Sequence, residues 1–77
     1  MITCAIIDDE PLAVTLLESY VKRVPELDLK GKFLGAREAL AALKETPVDL
    51  VFLDIQMPEL TGLELSSQLP ARTYVIF

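Results

Sequence analysis

An apolar run that stops at three acids and a proline opens the chain: Cys4-Ala5-Ile6-Ile7-Asp8-Asp9-Glu10-Pro11. Four apolar residues in a row can form a buried strand or part of a helix, and the short length of this run favours the strand. Proline is common in the first turn of a helix, where its missing N–H would have no partner in any case. We therefore expect a strand that ends at the acids and a helix that starts at Pro11.

The rest of the chain repeats this alternation of strand and helix. A second apolar run, Leu50–Leu53, ends at Asp54, and the residues between the two runs show helical spacing and then a period of two. The predicted elements are a strand at Cys4–Ile7, a helix from Pro11 to the residue before Pro25, a strand at Leu27–Phe33, a helix at Ala36–Leu43, a strand at Leu50–Leu53, a helix from about Thr61 to Leu69, and a strand at Tyr74–Phe77.

This order predicts the architecture. Strands that alternate with helices at this spacing form right-handed crossovers in a parallel sheet. Leu27–Phe33 alternates apolar with polar residues, which suits a sheet edge, whereas the other strands are apolar throughout, as expected for strands covered on both faces. The fold class is α/β, a flavodoxin-like, three-layer parallel sheet with strand order 2-1-3-4. On this scheme Tyr20, Phe33 and Phe52 lie on the core faces.

The amino-acid composition excludes several classes of function. The 77 residues are 52% hydrophobic and carry a formal net charge of -5, so residues 1–77 form one folded unit rather than a disordered tail. The basic residues form no stripe, so we expect no direct contact with nucleic acid. No apolar run is long enough to cross a membrane, and we expect a cytoplasmic protein. One Cys and no His exclude a disulfide framework and the common zinc sites.

Two separate segments bring carboxylates to one crevice. In a sheet of order 2-1-3-4 the ligand crevice lies beyond the carboxyl ends of strands 1 and 3, where Asp8, Asp9 and Asp54 stand. Alone, each segment is compatible with a helix-capping or turn-forming role. Together the acids repel one another, and neither segment contains Lys or Arg, so a cation should offset the repulsion. Oxygen ligands favour Mg²⁺ or Mn²⁺.

Two stretches resemble a known family. These are Ile6-Ile7-Asp8-Asp9-Glu10-Pro11-Leu12-Ala13 and Val51-Phe52-Leu53-Asp54-Ile55-Gln56-Met57-Pro58-Glu59-Leu60-Thr61-Gly62. An acidic pair after the first strand, followed by Asp-x-x-Met-Pro-x-x-x-Gly after the third, resembles the receiver domain of bacterial two-component response regulators. The sequences of residues 10–13 and 74–77 are similar to those of receivers joined to LytTR-type DNA-binding output domains.

The resemblance implies a role for each residue. Asp54 corresponds to the phosphate-accepting aspartate and would be phosphorylated by a partner histidine kinase. Asp9 corresponds to a direct Mg²⁺ ligand, Asp8 to its neighbour that acts through a metal-bound water, and the backbone carbonyl of Gln56 to a third ligand. The phosphorylated state would control an output domain, with transcription the expected output.

The chain also departs from the family. The Ser or Thr past the fourth strand and the Lys after the fifth have no counterpart here, so residues 1–77 correspond to the N-terminal two-thirds of such a domain. We expect residues 72–77 to present an apolar edge that drives self-association, as a homodimer or larger species.

Two other functions remain open at this point. The first alternative is that these residues are a truncated fragment that self-assembles but takes part in no phosphotransfer. A Mg²⁺-dependent phosphatase of the haloacid-dehalogenase type also uses an Asp nucleophile at a strand end. That family has a second Asp two residues later, where this chain has Gln56, which disfavours an enzyme.

Overall fold

The computed structural model describes residues 1–54, 62–69 and 73–77, and in these ranges strands alternate with helices. The elements are β1 (Ile2–Ile7), α1 (Pro11–Val21), β2 (Leu27–Phe33), α2 (Ala36–Glu45), β3 (Leu50–Leu53), α3 (Gly62–Gln68) and β4 (Tyr74–Ile76). All the strand pairs are parallel and the sheet has the order β2-β1-β3-β4. The predicted fold class and strand order are confirmed.

The core forms two layers, one on each face of the sheet. Alternate side chains of a strand point to opposite faces, and β1 accordingly contributes to both layers. The layer under α1 contains Cys4, Ile6, Val14 and Val21. The larger layer, between the sheet and α2 with α3, contains Ala5, Ile7, Ala36, Ala39, Leu43, Val48, Val51, Leu53, Leu65 and Leu69. This arrangement gives the three layers that the sequence predicted.

Helix α1 is shorter and rotated relative to the prediction. It ends at Val21, and Val24 belongs to a following turn in which its N–H donates to the Val21 carbonyl at 3.1 Å. Val14 is buried, whereas Leu16 and Tyr20 are about half exposed. The placement of Tyr20 on the core face was therefore wrong. Helical spacing alone did not determine which side chains of α1 face the sheet, because apolar residues lie on several sides of this helix.

Strand β2 forms one edge of the sheet, as its alternating pattern predicted. Lys30 and Lys32 are exposed, while Phe33 packs against the larger layer. The register with β1 shifts between Cys4 and Ala5, which places Lys30 in an irregularity of the ladder. Such irregularities and edge lysines protect an edge strand from pairing with another chain.

Strand β4 is less buried than predicted. It pairs with β3 through Leu50↔Tyr74, Val51↔Val75 and Phe52↔Ile76. Val75 packs against the larger layer, but Tyr74 is 77% exposed.

Within the described ranges, no helix is both long enough and apolar enough to cross a bilayer.

Candidate functional site

The parallel pairing of β1 with β3 determines which acids meet. The register runs from Cys4↔Leu50 to Ile7↔Leu53, so the next residue on each strand is an aspartate, Asp8 or Asp54. The N–H of Asp54 donates to the carbonyl of Ile7 at 2.9 Å, which continues the ladder by one step. The two aspartates therefore lie side by side at the carboxyl ends of adjacent strands. This is the point where the strand order reverses and where ligands bind in open parallel sheets.

Three carboxylates converge at this point. One oxygen from each of Asp8, Asp9 and Asp54 lies within 4.8 Å of the others. Asp8 and Asp54 are half-buried and Asp9 is exposed. Gln56, the fourth predicted site residue, lies outside the described residues. The structure thus brings together the three predicted side-chain ligands, which come from two segments more than forty residues apart in sequence.

Asp8 is fixed by its own local turn. The N–H of Glu10 donates to Oδ1 of Asp8 at 3.0 Å, a turn in which an aspartate binds the backbone two residues further on. Glu10 then occupies the N-cap position of α1 without a side-chain capping bond, and Pro11 is the first helical residue. One oxygen of Asp8 is therefore bonded to the backbone, and the direction of the carboxylate is set by the start of the helix.

The surroundings of Asp8 favour its protonated form. Partial burial raises the pKa of the Asp8 carboxyl above its ordinary value. The negative charges of Asp54 and Asp9, and a hydrogen bond with the Asp54 carboxyl, act in the same direction. The Glu10 N–H opposes them by stabilising the carboxylate. Burial is the largest cause of the upward shift, and a bound cation would offset the smaller part that comes from the neighbouring negative charges.

The donor set fits a hard divalent ion. Carboxylate oxygens are the ligands that Mg²⁺ and Mn²⁺ prefer, and Mg²⁺ commonly takes one or two carboxylates and completes its shell with water and phosphate oxygens. Two ligands at about 2.1 Å from one ion lie at most roughly 4.2 Å apart, and the 4.8 Å that bounds the separation of these oxygens is close to that distance.

The site opens into an apolar groove. This groove, of about 510 Å³, is lined by Asp8 and Asp54 at one end and by Leu17, Phe52, Leu53, Ile76 and Phe77 along its length. It lies on the α1 face of the sheet. Ile76 is 48% exposed and Phe77 is 54% exposed.

The sequence did not predict two features of the site. The Asp8–Glu10 turn was missed, although an aspartate three residues ahead of the first helical residue, Pro11, is a signal for such a turn. The sequence favoured an exposed apolar face beside α1, but the lining of the groove was not predicted, because it comes from α1, from the ends of β1 and β3 and from residues 76–77, which no local pattern links.

Comparison with known proteins identifies the family. Residues 4–77 match the family described as the response regulator receiver domain. The transcriptional regulatory protein BtsR of Escherichia coli is 37% identical over 79 residues, which cover 100% of this chain and 33% of BtsR. The chain therefore spans about a third of the length of such curated relatives.

Solved structures agree with the family match. The signal receiver domain of a modulated diguanylate cyclase from Desulfovibrio desulfuricans has a TM-score of 0.88 at 25% identity, covering 100% of this chain and 63% of that one. A CheX-CheY complex with BeF₃⁻ and Mg²⁺ from Borrelia burgdorferi has a TM-score of 0.77 at 25% identity, covering 87% of this chain and 51% of that one. The register that joins Asp8 to Asp54 and these matches lead to one conclusion: the chain belongs to the response regulator receiver domain family.

Proposed function

We propose that the chain is a Mg²⁺-dependent phosphoacceptor module of two-component signal transduction, phosphorylated on Asp54 by a sensor histidine kinase. The convergence of Asp8, Asp9 and Asp54 at the ends of two adjacent strands supports this most strongly. Membership of the receiver family adds to it, as does the Mg²⁺ in the name of the Borrelia complex. Mn²⁺ would serve in place of Mg²⁺.

Each acid has a distinct task in the proposed reaction. A carboxylate oxygen of Asp54 attacks the phosphorus of a phosphohistidine, and an O–P bond forms while the N–P bond breaks. The departing imidazole nitrogen keeps the electron pair and takes a proton from solvent, which leaves an acyl phosphate on Asp54. Asp9 and Asp54 would hold the ion, Asp8 would act through a water on it, and the Gln56 carbonyl would be the remaining protein ligand. When bound, the ion neutralises charge on the phosphoryl oxygens.

The phosphorylated module would control transcription through an output domain. The name of BtsR, a transcriptional regulatory protein, supports this. The sequences of residues 10–13 and 74–77 favour a LytTR-type output domain. We propose no direct contact between residues 1–77 and nucleic acid, because a net charge of -5 repels phosphates. The proposed location is the cytoplasm, where the histidine kinase would deliver its phosphoryl group.

We further propose that the 77-residue chain self-associates through β4. Tyr74, Ile76 and Phe77 are 77%, 48% and 54% exposed. Within the described ranges, β4 has a strand partner on one side only, β3. An exposed apolar edge with unpaired N–H and C=O groups favours pairing with a second copy.

Phosphorylation with a small N–P donor tests the proposed function. Phosphoramidate mimics the N–P bond of phosphohistidine, and the intact mass reports the addition of one phosphoryl group. We expect slow addition to Asp54 that requires Mg²⁺ and is absent in Asp54→Asn. Asp28→Asn is the matched control, because Asp28 lies on β2 and pairs with Lys30 at 2.9 Å. Addition that persists in Asp54→Asn, or that is the same with EDTA, would overturn the assignment.

A further inference from the structure

A group of polar side chains lies at the end of the sheet opposite the carboxylates. The Oδ2 atom of Asp49 accepts from both the N–H and the hydroxyl of Thr3, each at 3.0 Å. The N–H of Asp49 donates to the hydroxyl and to the carbonyl of Thr3, again at 3.0 Å each. The Thr3 hydroxyl therefore donates and accepts within the same pair of residues. We call these four contacts the Thr3–Asp49 clamp.

The clamp joins the two strands that carry the site. Thr3 is on β1, and Asp49 immediately precedes β3. From the clamp the strands run in register through four paired positions, Cys4↔Leu50 to Ile7↔Leu53, and then reach Asp8 and Asp54. The clamp and the site thus lie at the two ends of one short parallel ladder, roughly 16 Å apart at the usual rise of about 3.3 Å per residue.

The two ends of this ladder experience opposite forces. At the carboxyl end, Asp8, Asp9 and Asp54 repel one another, and this repulsion acts to separate the strand ends. At the amino end, the clamp opposes separation and slippage. A slip of one residue would move the Asp54 side chain to the other face of the sheet, so the meeting of Asp54 with Asp8 depends on this register. Parallel pairing is slightly weaker per residue than antiparallel pairing, and the ladder has only four paired positions.

The hydrogen bonds of the clamp are expected to be stronger than those of an ordinary turn, because their acceptor is a carboxylate. The Thr3 N–H and hydroxyl lower the pKa of the Asp49 carboxyl, with the charge of the chain's amino terminus acting in the same direction. Hydrogen bonds to an ionised acceptor are stronger than those between neutral groups. The carbonyl of Asp49 also accepts from the Tyr74 N–H at 2.9 Å, so β4 is attached to the same point.

We infer that Thr3 and Asp49 are positioning residues for the phosphoacceptor site: their clamp sets the β1–β3 register that holds Asp54 beside Asp8. This inference rests on the proposed function, since it concerns how the same carboxylates are held for a divalent ion.

The chain offers a matched control for the test. Thr73 also lies at the amino end of the sheet, and its hydroxyl donates to the Val48 carbonyl at 2.9 Å. Thr73 precedes β4 and does not bridge β1 and β3. Thr3→Val and Thr73→Val each remove one hydroxyl by an isosteric change, but only Thr3→Val weakens the clamp, because it removes the two contacts made by the Thr3 hydroxyl. Thr3→Ser keeps the hydroxyl and should restore the wild-type behaviour.

Two measurements on the 77-residue chain test the inference. The first is the Mg²⁺ dissociation constant, which we expect to rise about 3- to 10-fold in Thr3→Val, below the 10- to 100-fold typical of direct supporting contacts because the clamp is remote. Thr73→Val and Thr3→Ser should stay within about twofold of wild type. The second, made in EDTA, is hydrogen exchange of the Asp54 amide, which bonds to Ile7 at the site end. It should be roughly tenfold faster in Thr3→Val than in Thr73→Val.

The outcomes separate this inference from the proposed function. Equal effects of Thr3→Val and Thr73→Val on both measurements would show that the clamp only contributes stability, and would overturn the inference. Wild-type protein that binds no Mg²⁺ would contradict the proposed function. Exchange of the Asp54 amide would then decide the role of the clamp, because that measurement requires no metal.

Discussion

Asp8 and Asp54 are held together although their charges repel. The upward shift in the pKa of Asp8 comes from partial burial and from the charges of Asp54 and Asp9. A raised pKa means that the folded state binds a proton more readily than the unfolded chain does. Without metal, this group therefore costs stability as the pH rises from the ordinary Asp pKa, about 4, through the raised value. The site is strained in the absence of a cation.

Removing one of these charges should stabilise the metal-free protein. We expect Asp54→Asn to raise the free energy of unfolding in EDTA by about 1 kcal/mol or less, because the half-exposed site is screened by solvent. Urea denaturation would measure this. In saturating Mg²⁺ the order should reverse, because wild type gains binding energy that the variant lacks. An Asp54→Asn protein that is less stable than wild type in EDTA would show that Asp54 has a mainly structural role.

Asp49 should show the opposite dependence on pH. Its pKa is lowered by the Thr3 N–H and hydroxyl, so its contribution is present above the ordinary Asp pKa and is lost as the pH falls through the lowered value. Wild type should be more stable than Asp49→Asn near neutral pH, and the difference should shrink below about pH 4. Urea midpoints measured across this range would check it. In a Thr3→Val background the difference should be smaller at every pH.

At the scale of elements, the sequence predicted more about the strands than about the helix faces. Leu50–Leu53 was predicted with its observed bounds, because a short apolar run that ends in an acid has one plausible role between two helices. The site followed from the strand order, since the order places the ends of β1 and β3 together. The sequence did not predict the rotation of α1, because apolar residues lie on several faces of this helix. Val14 faces the sheet because it packs against Cys4 and Ile6.

A pair of substitutions in α1 tests this rotation. Val14 is 6% exposed and Leu16 is 54% exposed. Val14→Ala should lower the free energy of unfolding by about 1.5–3 kcal/mol, as expected for loss of buried methyl groups together with a cavity. Leu16→Ala should cost less than about 1 kcal/mol, although it removes a larger side chain. Urea denaturation of both variants is sufficient. The reverse order would mean that the side of α1 with Leu16 and Tyr20 faces the sheet, as the predicted core position of Tyr20 implied.

At the scale of the whole molecule, the chain presents an apolar surface around the acidic site. The groove beside Asp8 and Asp54 continues over Phe52 to Ile76 and Phe77, and β4 has one strand partner within the described ranges. A small core makes a chain of this size marginal as an isolated monomer. The proposed self-association surface and the acidic site thus both border the same groove.

Light scattering at tens of micromolar tests the self-association of the 77-residue chain. We expect a dimer or larger species for wild type, and Ile76→Lys should shift it toward monomer by placing a charge on the exposed edge. Leu12→Lys introduces the same charge on α1, at a side chain that is 79% exposed, and as the control it should leave the association unchanged. A monodisperse wild-type monomer would contradict the proposed interface.

We propose that Asp8, Asp9 and Asp54 form one divalent-cation site. The decisive measurement is the dissociation constant for Mg²⁺ or Mn²⁺, obtained by titrating the purified chain with each ion. We predict weak binding to wild type, loss of at least about tenfold in affinity for Asp54→Asn and for Asp9→Asn, and unchanged affinity for Asp28→Asn on β2. Equal losses in all three variants, or no binding to wild type, would contradict it.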